Sequence, residues 1–377
     1  MRLDWSKVLV CLVLAMVGFG VVMILSATQS RVESIWENRL FWRQLCWIGI
    51  GLAAMVALSR IDYRRWFKLA PYIVGVSMIL LLLVFVPGAG LRLNGAARWL
   101  KAGPVTFQPS EIAKVALIIA SAAMLVSGEV SFKRGFLPIM GLAVVMAAVV
   151  VVEPDFGTAA LLIVVGLAMT YAGGVRLACI FGSIVPFVAA AAALIVSKPY
   201  RVARILAFLS PEDYPETVGY HINQSLIALG SGGTFGVGLG ASRQNLYFLP
   251  ESSTDFIFAI IGEQLGFAGA LAVVLAYGVF IYAGLKIASN VKDRFGRLLA
   301  YGITVLIGGQ AIMNMGVVTA CLPTKGISLP FISLGGTGAA CMLGITGILA
   351  NIAMSQRAQE ELPEVRVQGA AAGAGIS

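Results

Sequence analysis

Long apolar runs recur along most of the chain and are separated by polar segments. Each run is close to the roughly 20 mostly apolar residues that a helix needs to cross a bilayer. Ten such runs are present, at 8–27, 43–59, 69–87, 109–127, 135–152, 156–173, 177–197, 264–287, 297–320 and 335–354. We therefore predict an all-α polytopic membrane protein with ten transmembrane helices and with both termini on the same side.

Two of these runs and the C-terminal end depart from the simple pattern. The fourth run contains Glu111 and Lys114 near its start. The apolar stretch 255–287 is too long for one crossing, so we interpret 255–263 as a partly buried approach to the eighth helix. The residues after 354 are polar and end in glycine and alanine, which indicates disorder. The predicted organisation is one transmembrane domain, 1–354, followed by a disordered cytoplasmic tail, 355–377.

Composition narrows the class of protein. The chain has 377 residues, of which 59% are hydrophobic and only 12% are charged, compared with about 25% charged in ordinary soluble domains. A soluble chain of this length could not bury so much apolar surface, so a cytoplasmic enzyme, a disordered protein and a fibrous protein are excluded. The five cysteines lie in or beside apolar runs without metal-site spacing, which favours small core residues over a disulfide framework or zinc site.

The net charge of +9 would suggest nucleic acid in a soluble protein. In a membrane protein, basic loops orient the helices and contact anionic lipid, so we predict no nucleic-acid partner. Basic residues are more frequent in the loops that are cytoplasmic when the N-terminus is inside, which favours an N-in, C-in orientation. The outer loops nevertheless contain Arg31, Arg39, Arg43, Arg92, Arg98, Lys101 and Lys325. An anionic ligand on that face would explain them.

Two long extracytoplasmic loops are predicted, Gly88–Gln108 and about 198–254. Long ordered loops on one face of a helical scaffold often carry function. The second loop contains the glycine-rich segment Gly230–Gln244. A nucleotide-binding loop is disfavoured there because no Gly-Lys-Ser/Thr sequence follows and no strand precedes it. We favour a tight-turning re-entrant segment, in which glycines let the backbone approach a helix or a lipid head group.

A few charged residues stand out in or near the membrane. Glu111 and Lys114 are three residues apart on one helix face and can pair. They are either a self-neutralising structural pair or part of a substrate path. Asp255 opens the apolar sequence FIFAIIG with no basic residue within one helical turn. It is either a helix cap or, with a pKa raised at the membrane boundary, a general base.

Four further residues are candidates for structural or functional roles. Glu263 is interpreted as a buried acid with a hydrogen-bond partner, and His221 as a surface loop residue. Asp155, in the short turn Glu153-Pro154-Asp155, could cap the sixth helix or help to bind a cation. Lys325 lies in the Pro- and Gly-rich segment Pro323–Gly338. That segment is interpreted as a loop re-entering the outer face, with phosphate binding by Lys325 as the alternative.

These patterns resemble the SEDS family (shape, elongation, division and sporulation), which polymerises peptidoglycan from lipid II. The resemblance rests on NGAARWLKAGPVTFQPSEIAK, PDFGTA, the long segment from Asn223 to Phe267, and NMGVVTACLPTKGISLPFISLGGTG. It covers nearly the whole chain except the tail. Pro323–Gly326 resembles the division branch, FtsW, more than the elongation branch, RodA. Glu153 stands where the family often has Gln, and Leu334–Gly338 replaces the usual Tyr-Gly-Gly-Ser-Ser.

The resemblance implies a peptidoglycan glycosyltransferase in which Asp255 is the essential acid, Glu111 and Lys114 are the paired charges, and Arg98 belongs to an arginine-tryptophan element. The reaction it implies is an inverting displacement that needs a base and positive charge near the leaving pyrophosphate. We expect Asp255 to be the base. The expected substrate-binding residues are Arg98, Glu111, Lys114, Arg201, Arg204, Arg243 and Lys325. No metal ligands are predicted, although a divalent cation, Mg²⁺ or Mn²⁺, could share the charge.

The resemblance also implies partners and a location. Lipid II is the expected substrate, and a class B penicillin-binding protein transpeptidase and other membrane proteins of the divisome are the expected partners. The expected location is the bacterial cytoplasmic membrane at the division septum. Two other functions remain open at this stage. One is a flippase that moves lipid II across the membrane, and the other is a non-catalytic scaffold of the division complex.

Overall fold

The computed structural model describes residues 4–29, 34–93, 96–103, 105–128, 131–213, 218–242, 253–323 and 326–373. Its helices are α1 Trp5–Gln29, α2 Arg39–Arg60, α3 Arg65–Leu83, α4 Pro109–Val126, α5 Leu137–Val152, α6 Phe156–Ala172, α7 Leu177–Val196, α8 Pro199–Leu209, α9 Val218–Ser231, α10 Ile257–Asn290, α11 Arg294–Val318 and α12 Thr337–Gly373. Short helical turns at Ile35–Glu37, Phe132–Phe136 and Pro211–Asp213 precede α2, α5 and α9.

Each of the ten predicted spans coincides with an apolar helix. Within the described residues, nine helices are long and apolar enough to cross a membrane by length and composition, and α6 is a shorter apolar helix of 17 residues. At 1.5 Å per residue α6 is about 26 Å long, which is near the lower limit for a bilayer core. The multi-helix membrane fold is confirmed, and the N-in, C-in orientation stays a prediction.

The first long loop is a small β-sheet, so the all-α prediction is wrong for this segment. The strands Gly90–Leu93, Ala96–Ala102 and Val105–Phe107 form an antiparallel sheet in the order β1-β2-β3. Leu91 pairs with Trp99, and Leu100 pairs with Phe107. Large apolar cross-strand pairs of this kind stabilise short strands. The sequence Asn94-Gly95, which lies outside the described residues, is common in β-hairpins. It was the feature of the sequence that could have predicted strands in this loop.

Helices are also present in the second long loop and in the C-terminal segment. Between residues 198 and 254 the structure contains α8, the turn Pro211–Asp213 and α9. α12 continues to Gly373, beyond residue 354, where the disordered tail was predicted to start. The helices of the second loop were not predicted from the sequence, because polar and glycine residues interrupt the apolar pattern there. The division into a transmembrane domain and a separate tail stays a prediction.

The glycine-rich segment is a tight-turning segment packed on a break in α10, as interpreted from the sequence. Gly266 has φ 68° and ψ −167°, which interrupts the helix. The carbonyls of Glu263 and Gln264 accept hydrogen bonds from Val237 and Gly238 at 3.0 Å each. A Cβ atom on Gly236 would overlap the carbonyl oxygen of Gln264. Only glycine therefore allows this backbone-to-backbone approach.

The centre of the bundle is formed by α4, α11 and α12, most of whose described side chains are buried. Residues 327–333 of the connection between α11 and α12 also run through the interior. Ile327, Leu329, Phe331 and Ile332 are all buried in it, and the Tyr277 hydroxyl donates a hydrogen bond to the Pro330 carbonyl. We call residues 326–336 the buried loop. This placement agrees with the predicted re-entrant loop.

Candidate functional site

Asp255 lies in the turn that immediately precedes α10 and is half-buried. Its carboxylate contacts the buried loop, because a Cβ atom on Gly326 would lie 3.0 Å from Asp255 Oδ2. The Asp255 carbonyl oxygen accepts a hydrogen bond of 2.7 Å from Asn314 Nδ2. Beside it, Leu334 N donates to the Ser253 carbonyl at 2.9 Å. The N-cap residue of α10 is Phe256, one residue after Asp255.

Glu111 and Lys114 form the ion pair that their spacing predicted. Lys114 Nζ lies 2.8 Å from Glu111 Oε1, and Lys114 is only 2% exposed. Lys114 Nζ also donates a hydrogen bond of 2.7 Å to Gln310 Oε1 on α11. Glu111 Oε2 is buried and has no hydrogen-bond partner among the described residues. A buried pair with such contacts is tolerated because each charge is compensated by the other.

Two polar residues of α11 connect this ion pair to Asp255. Gln310 Nε2 donates to the Ser328 carbonyl at 3.0 Å. Asn314, one turn further along, donates to the Ile327 carbonyl at 2.7 Å as well as to Asp255. The buried loop therefore links the predicted base to the predicted charge pair. Neither residue was predicted from the sequence as part of the site, although an amide pair four residues apart in an apolar span is a recognisable signal.

Arg98 lies on β2 and holds the short turn between α5 and α6. Its Nε and Nη2 atoms donate to the carbonyl oxygens of Glu153 and Pro154, at 3.0 and 2.6 Å. Asp155 caps α6, because Thr158 N donates to Asp155 Oδ1 at 3.1 Å. The capping interpretation of Asp155 is thereby confirmed. Arg98 therefore uses part of its donor capacity on the protein backbone.

Glu153 lies in the same turn, outside the membrane-spanning segments, and is 1% exposed. Neither of its carboxylate oxygens has a hydrogen-bond partner among the described residues. Burial, followed by repulsion from Asp155, raises the pKa of Glu153 from 4.5 to about 8, although Arg98 acts in the opposite direction. A carboxyl group with this pKa is mostly protonated at neutral pH.

The turn and the ion pair belong to one end of the bundle. Gln108, just before α4, contacts Asp155 Oδ2 through Nε2 at 3.3 Å and Thr337 Oγ1 through its backbone N–H at 3.3 Å. A Cβ atom on Gly338, the next residue, would lie 3.4 Å from the Glu111 carboxyl carbon. A continuous series of contacts therefore runs from Arg98 past Glu111 to Asp255.

Of the four remaining basic candidates, two lie on helix α8 and two lie outside the described residues. Arg201 lies on α8 with its guanidinium 4.2 Å from the centre of the Phe156 ring, next to Asp155 in sequence. It also donates to the Leu194 carbonyl at 2.6 Å. Arg204 is exposed on the same helix. Arg243 and Lys325 lie outside the described residues, so the structure gives no position for them.

The prediction for His221 is wrong, whereas the structure agrees with the prediction for Glu263. His221 lies in helix α9 rather than in a surface loop, and its ring stacks on Phe256 with 5.9 Å between centres. It is therefore a neighbour of the Asp255 turn. Glu263 is 2% exposed and accepts a hydrogen bond from the Ser242 hydroxyl, as expected for a buried acid with a partner. Among the described residues no group of three or more His, Cys, Asp or Glu could hold a metal ion.

Similarity to known proteins gives independent information about the chain. The sequence model of the FtsW, RodA and SpoVE family, described as a cell cycle protein family, matches residues 6–358. A relative from Geobacter metallireducens, named probable peptidoglycan glycosyltransferase FtsW, is 39% identical over 353 residues, covering 92% of this chain and 94% of the relative. Stage V sporulation protein E of Bacillus subtilis is 36% identical over 354 residues, covering 93% and 97% of the two chains.

Two solved structures share the fold. A chain from a peptidoglycan synthase complex that coordinates polymerization and crosslinking superimposes with a TM-score of 0.74 at 26% identity, covering 92% of this chain and 97% of the other. The rod shape determining protein RodA of Thermus thermophilus superimposes with a TM-score of 0.70 at 26% identity, covering 94% and 98%. The protein described here therefore belongs to the FtsW, RodA and SpoVE family of cell cycle proteins.

Proposed function

We propose that this protein is a peptidoglycan glycosyltransferase that polymerises glycan strands from lipid II during cell division. The observation that carries the proposal is the arrangement around the buried loop. An acid at the membrane boundary, Asp255, and a buried ion pair, Glu111–Lys114, are fixed to the same segment by Asn314 and Gln310. Family membership and the names of the relatives support the reaction class.

The proposed reaction joins two molecules of lipid II. The 4-hydroxyl of the acceptor's N-acetylglucosamine attacks C1 of the donor sugar, and the bond between C1 and the pyrophosphate oxygen breaks. Asp255 accepts the proton of the attacking hydroxyl, and undecaprenyl pyrophosphate leaves. General base catalysis of this kind contributes about 100- to 10,000-fold to the rate. The configuration at C1 is inverted because attack and departure occur on opposite sides.

The leaving pyrophosphate needs positive charge. The basic side chains near the site differ in how many of their donors already bind other protein groups. Lys114 is buried and already neutralised by Glu111, so we propose that the pair acts mainly by supporting the buried loop through Gln310. Arg98 is tied to the Glu153 and Pro154 carbonyls and would bind phosphate with its remaining donors. Arg201 and Arg204 lie on α8, and with Arg243 and Lys325 they are the proposed outer contacts.

A divalent cation, Mg²⁺ or Mn²⁺, would add positive charge beside the pyrophosphate. Among the described residues no group of three or more His, Cys, Asp or Glu side chains fits such an ion. Removal of divalent cations with a chelator, followed by restoration with Mg²⁺ or Mn²⁺, measures whether polymerisation depends on a metal.

Polymerisation of purified lipid II is the direct test of the function. The protein is assayed alone and with its class B penicillin-binding protein, and glycan products are separated by length. We expect Asp255→Asn to lose at least 100-fold in rate, while Asp213→Asn, which changes an exposed acid of the same outer loop, keeps the wild-type rate. Asp255→Asn at the wild-type rate would exclude Asp255 as the base.

The same assay separates the other candidate functions. A flippase would move lipid II across a vesicle membrane without making polymer, and a scaffold would do neither. We further propose that the protein works in the cytoplasmic membrane at the division septum with a transpeptidase and other divisome membrane proteins. Co-purification of the transpeptidase and the position of a fluorescent fusion in dividing cells test these two points.

A further inference from the structure

Asn314 makes an unusual pair of contacts near the C-terminal end of α11. It is 1% exposed. Its side-chain Nδ2 donates one hydrogen bond to the Asp255 carbonyl and a second to the Ile327 carbonyl, each at 2.7 Å. A side-chain amide has two N–H donors, so both are used, and both go to backbone oxygens of segments distant in sequence.

The orientation of this amide is fixed by what it donates. Asn314 Oδ1 is buried and accepts no hydrogen bond from any described residue. A flipped amide would direct Oδ1 at the carbonyl oxygens of Asp255 and Ile327 and lose both bonds. A flip would thus leave two buried carbonyl oxygens without a donor, which is unfavourable. The contact therefore requires a donor at this position, which asparagine supplies and aspartate does not.

The two carbonyls that Asn314 binds lie on either side of the contact between the Asp255 carboxylate and Gly326. Asp255 presents its carboxylate to Gly326, where a Cβ atom would lie only 3.0 Å from Oδ2. Ile327 is the residue after Gly326. One amide therefore holds both the backbone of the acid and the loop that its carboxylate contacts. We infer that Asn314 is a positioning residue that fixes the Asp255 carboxylate against the buried loop for its role as base, an inference that rests on the proposed function.

The expected effect is on turnover rather than on substrate binding. A misplacement of about 1 Å at a reacting group can cost on the order of 100-fold in rate. Asn314→Ala removes both hydrogen bonds, so we expect kcat for lipid II polymerisation to fall about 10- to 100-fold. The KM for lipid II should change less than about threefold, because Asn314 is buried and acts through Asp255.

Ser225→Ala is the matched control. Ser225 is fully buried and its hydroxyl donates to the Val318 carbonyl at 2.7 Å, so its loss also removes a buried hydrogen bond at the end of α11. The Tm of thermal unfolding in detergent should be lowered to a similar degree in Ser225→Ala and Asn314→Ala. We expect only Asn314→Ala to lose turnover, which separates positioning from general stability.

Asn314→Asp keeps the volume of the side chain and provides a pH readout. Its carboxylate cannot donate to either carbonyl, but its protonated form can donate once. Activity of Asn314→Asp relative to wild type should therefore rise as the pH is lowered, whereas the relative activity of Asn314→Ala should stay constant. This variant also tests the inference if Asn314→Ala does not fold.

The results distinguish this inference from the proposed function. If the wild-type protein makes no glycan from lipid II, the proposed function fails. If wild type polymerises and both Asn314 variants stay within twofold of its kcat, the positioning inference alone is overturned. It is also overturned if Ser225→Ala loses as much turnover as Asn314→Ala, or if both Asn314 variants have the pH profile of wild type.

Discussion

Replacement of Glu153 by glutamine should make the protein more stable at alkaline pH. Glu153 is buried in the turn between α5 and α6, and its carboxylate has no hydrogen-bond partner among the described residues. The nearby Arg98 donates to the backbone carbonyls of Glu153 and Pro154. Burial and the neighbouring Asp155 raise the pKa of Glu153 to about 8. Glutamine keeps the shape of the side chain and cannot ionise.

The magnitude follows from the two pKa values. Below pH 4.5 the carboxyl group of Glu153 is protonated in both folded and unfolded protein, so ionisation has no effect on stability. Between pH 4.5 and about 8 the folded state keeps a proton that the unfolded state has lost, so the free energy of unfolding falls as pH rises. At about 1.4 kcal/mol per pH unit, the loss between pH 5 and pH 8 is on the order of 3 kcal/mol.

Thermal unfolding of purified protein in detergent measures this effect. The difference in Tm between Glu153→Gln and wild type should be small at pH 5 and should grow to several °C at pH 8. Asp213→Asn, at an exposed site, is the control, and its difference from wild type should not change with pH. A Glu153→Gln difference that is the same at pH 5 and pH 8 would refute the reasoning, because the folded carboxyl would then ionise normally.

Three other changes test the packing of the site. Glu111→Gln leaves the buried Lys114 charge uncompensated and should lower the free energy of unfolding by about 3–5 kcal/mol. Glu111→Gln combined with Lys114→Met should lower the Tm less than Glu111→Gln alone in the same thermal assay. Gly236→Ala should lower Tm more than Gly238→Ala, because both have positive φ but only a Gly236 Cβ meets the Gln264 backbone. Gly326→Ala should reduce polymerisation with little change in Tm, because its Cβ would press on the Asp255 carboxylate.

The sequence predicted the contacts between residues that are close together along the chain. Glu111 and Lys114 are one helical turn apart, and Asp155 caps the helix that begins one residue later. Local geometry is enough to predict such contacts. The roles expected for Asp255 and for the basic residues remain predictions, because they concern chemistry rather than position.

The structure added the residues whose partners are far apart in sequence. Lys114 contacts Gln310, 196 residues away, and Asn314 contacts Asp255, 59 residues away. Neither contact follows from helix periodicity, because it depends on which faces of α4, α10 and α11 meet. His221 was misplaced for the same reason, since its stacking on Phe256 depends on how α9 packs.

The sequence by itself determined that the chain is a bundle of about ten apolar helices. It could do so because a bilayer requires long apolar segments with internally satisfied backbone, and this requirement is local. Only the tertiary structure decided that the first loop is a β-sheet, that Arg98 holds the Glu153 turn, and that one buried loop joins Asp255 to the ion pair. Strand pairing and side-chain contacts across helices depend on long-range packing, which no single apolar run specifies.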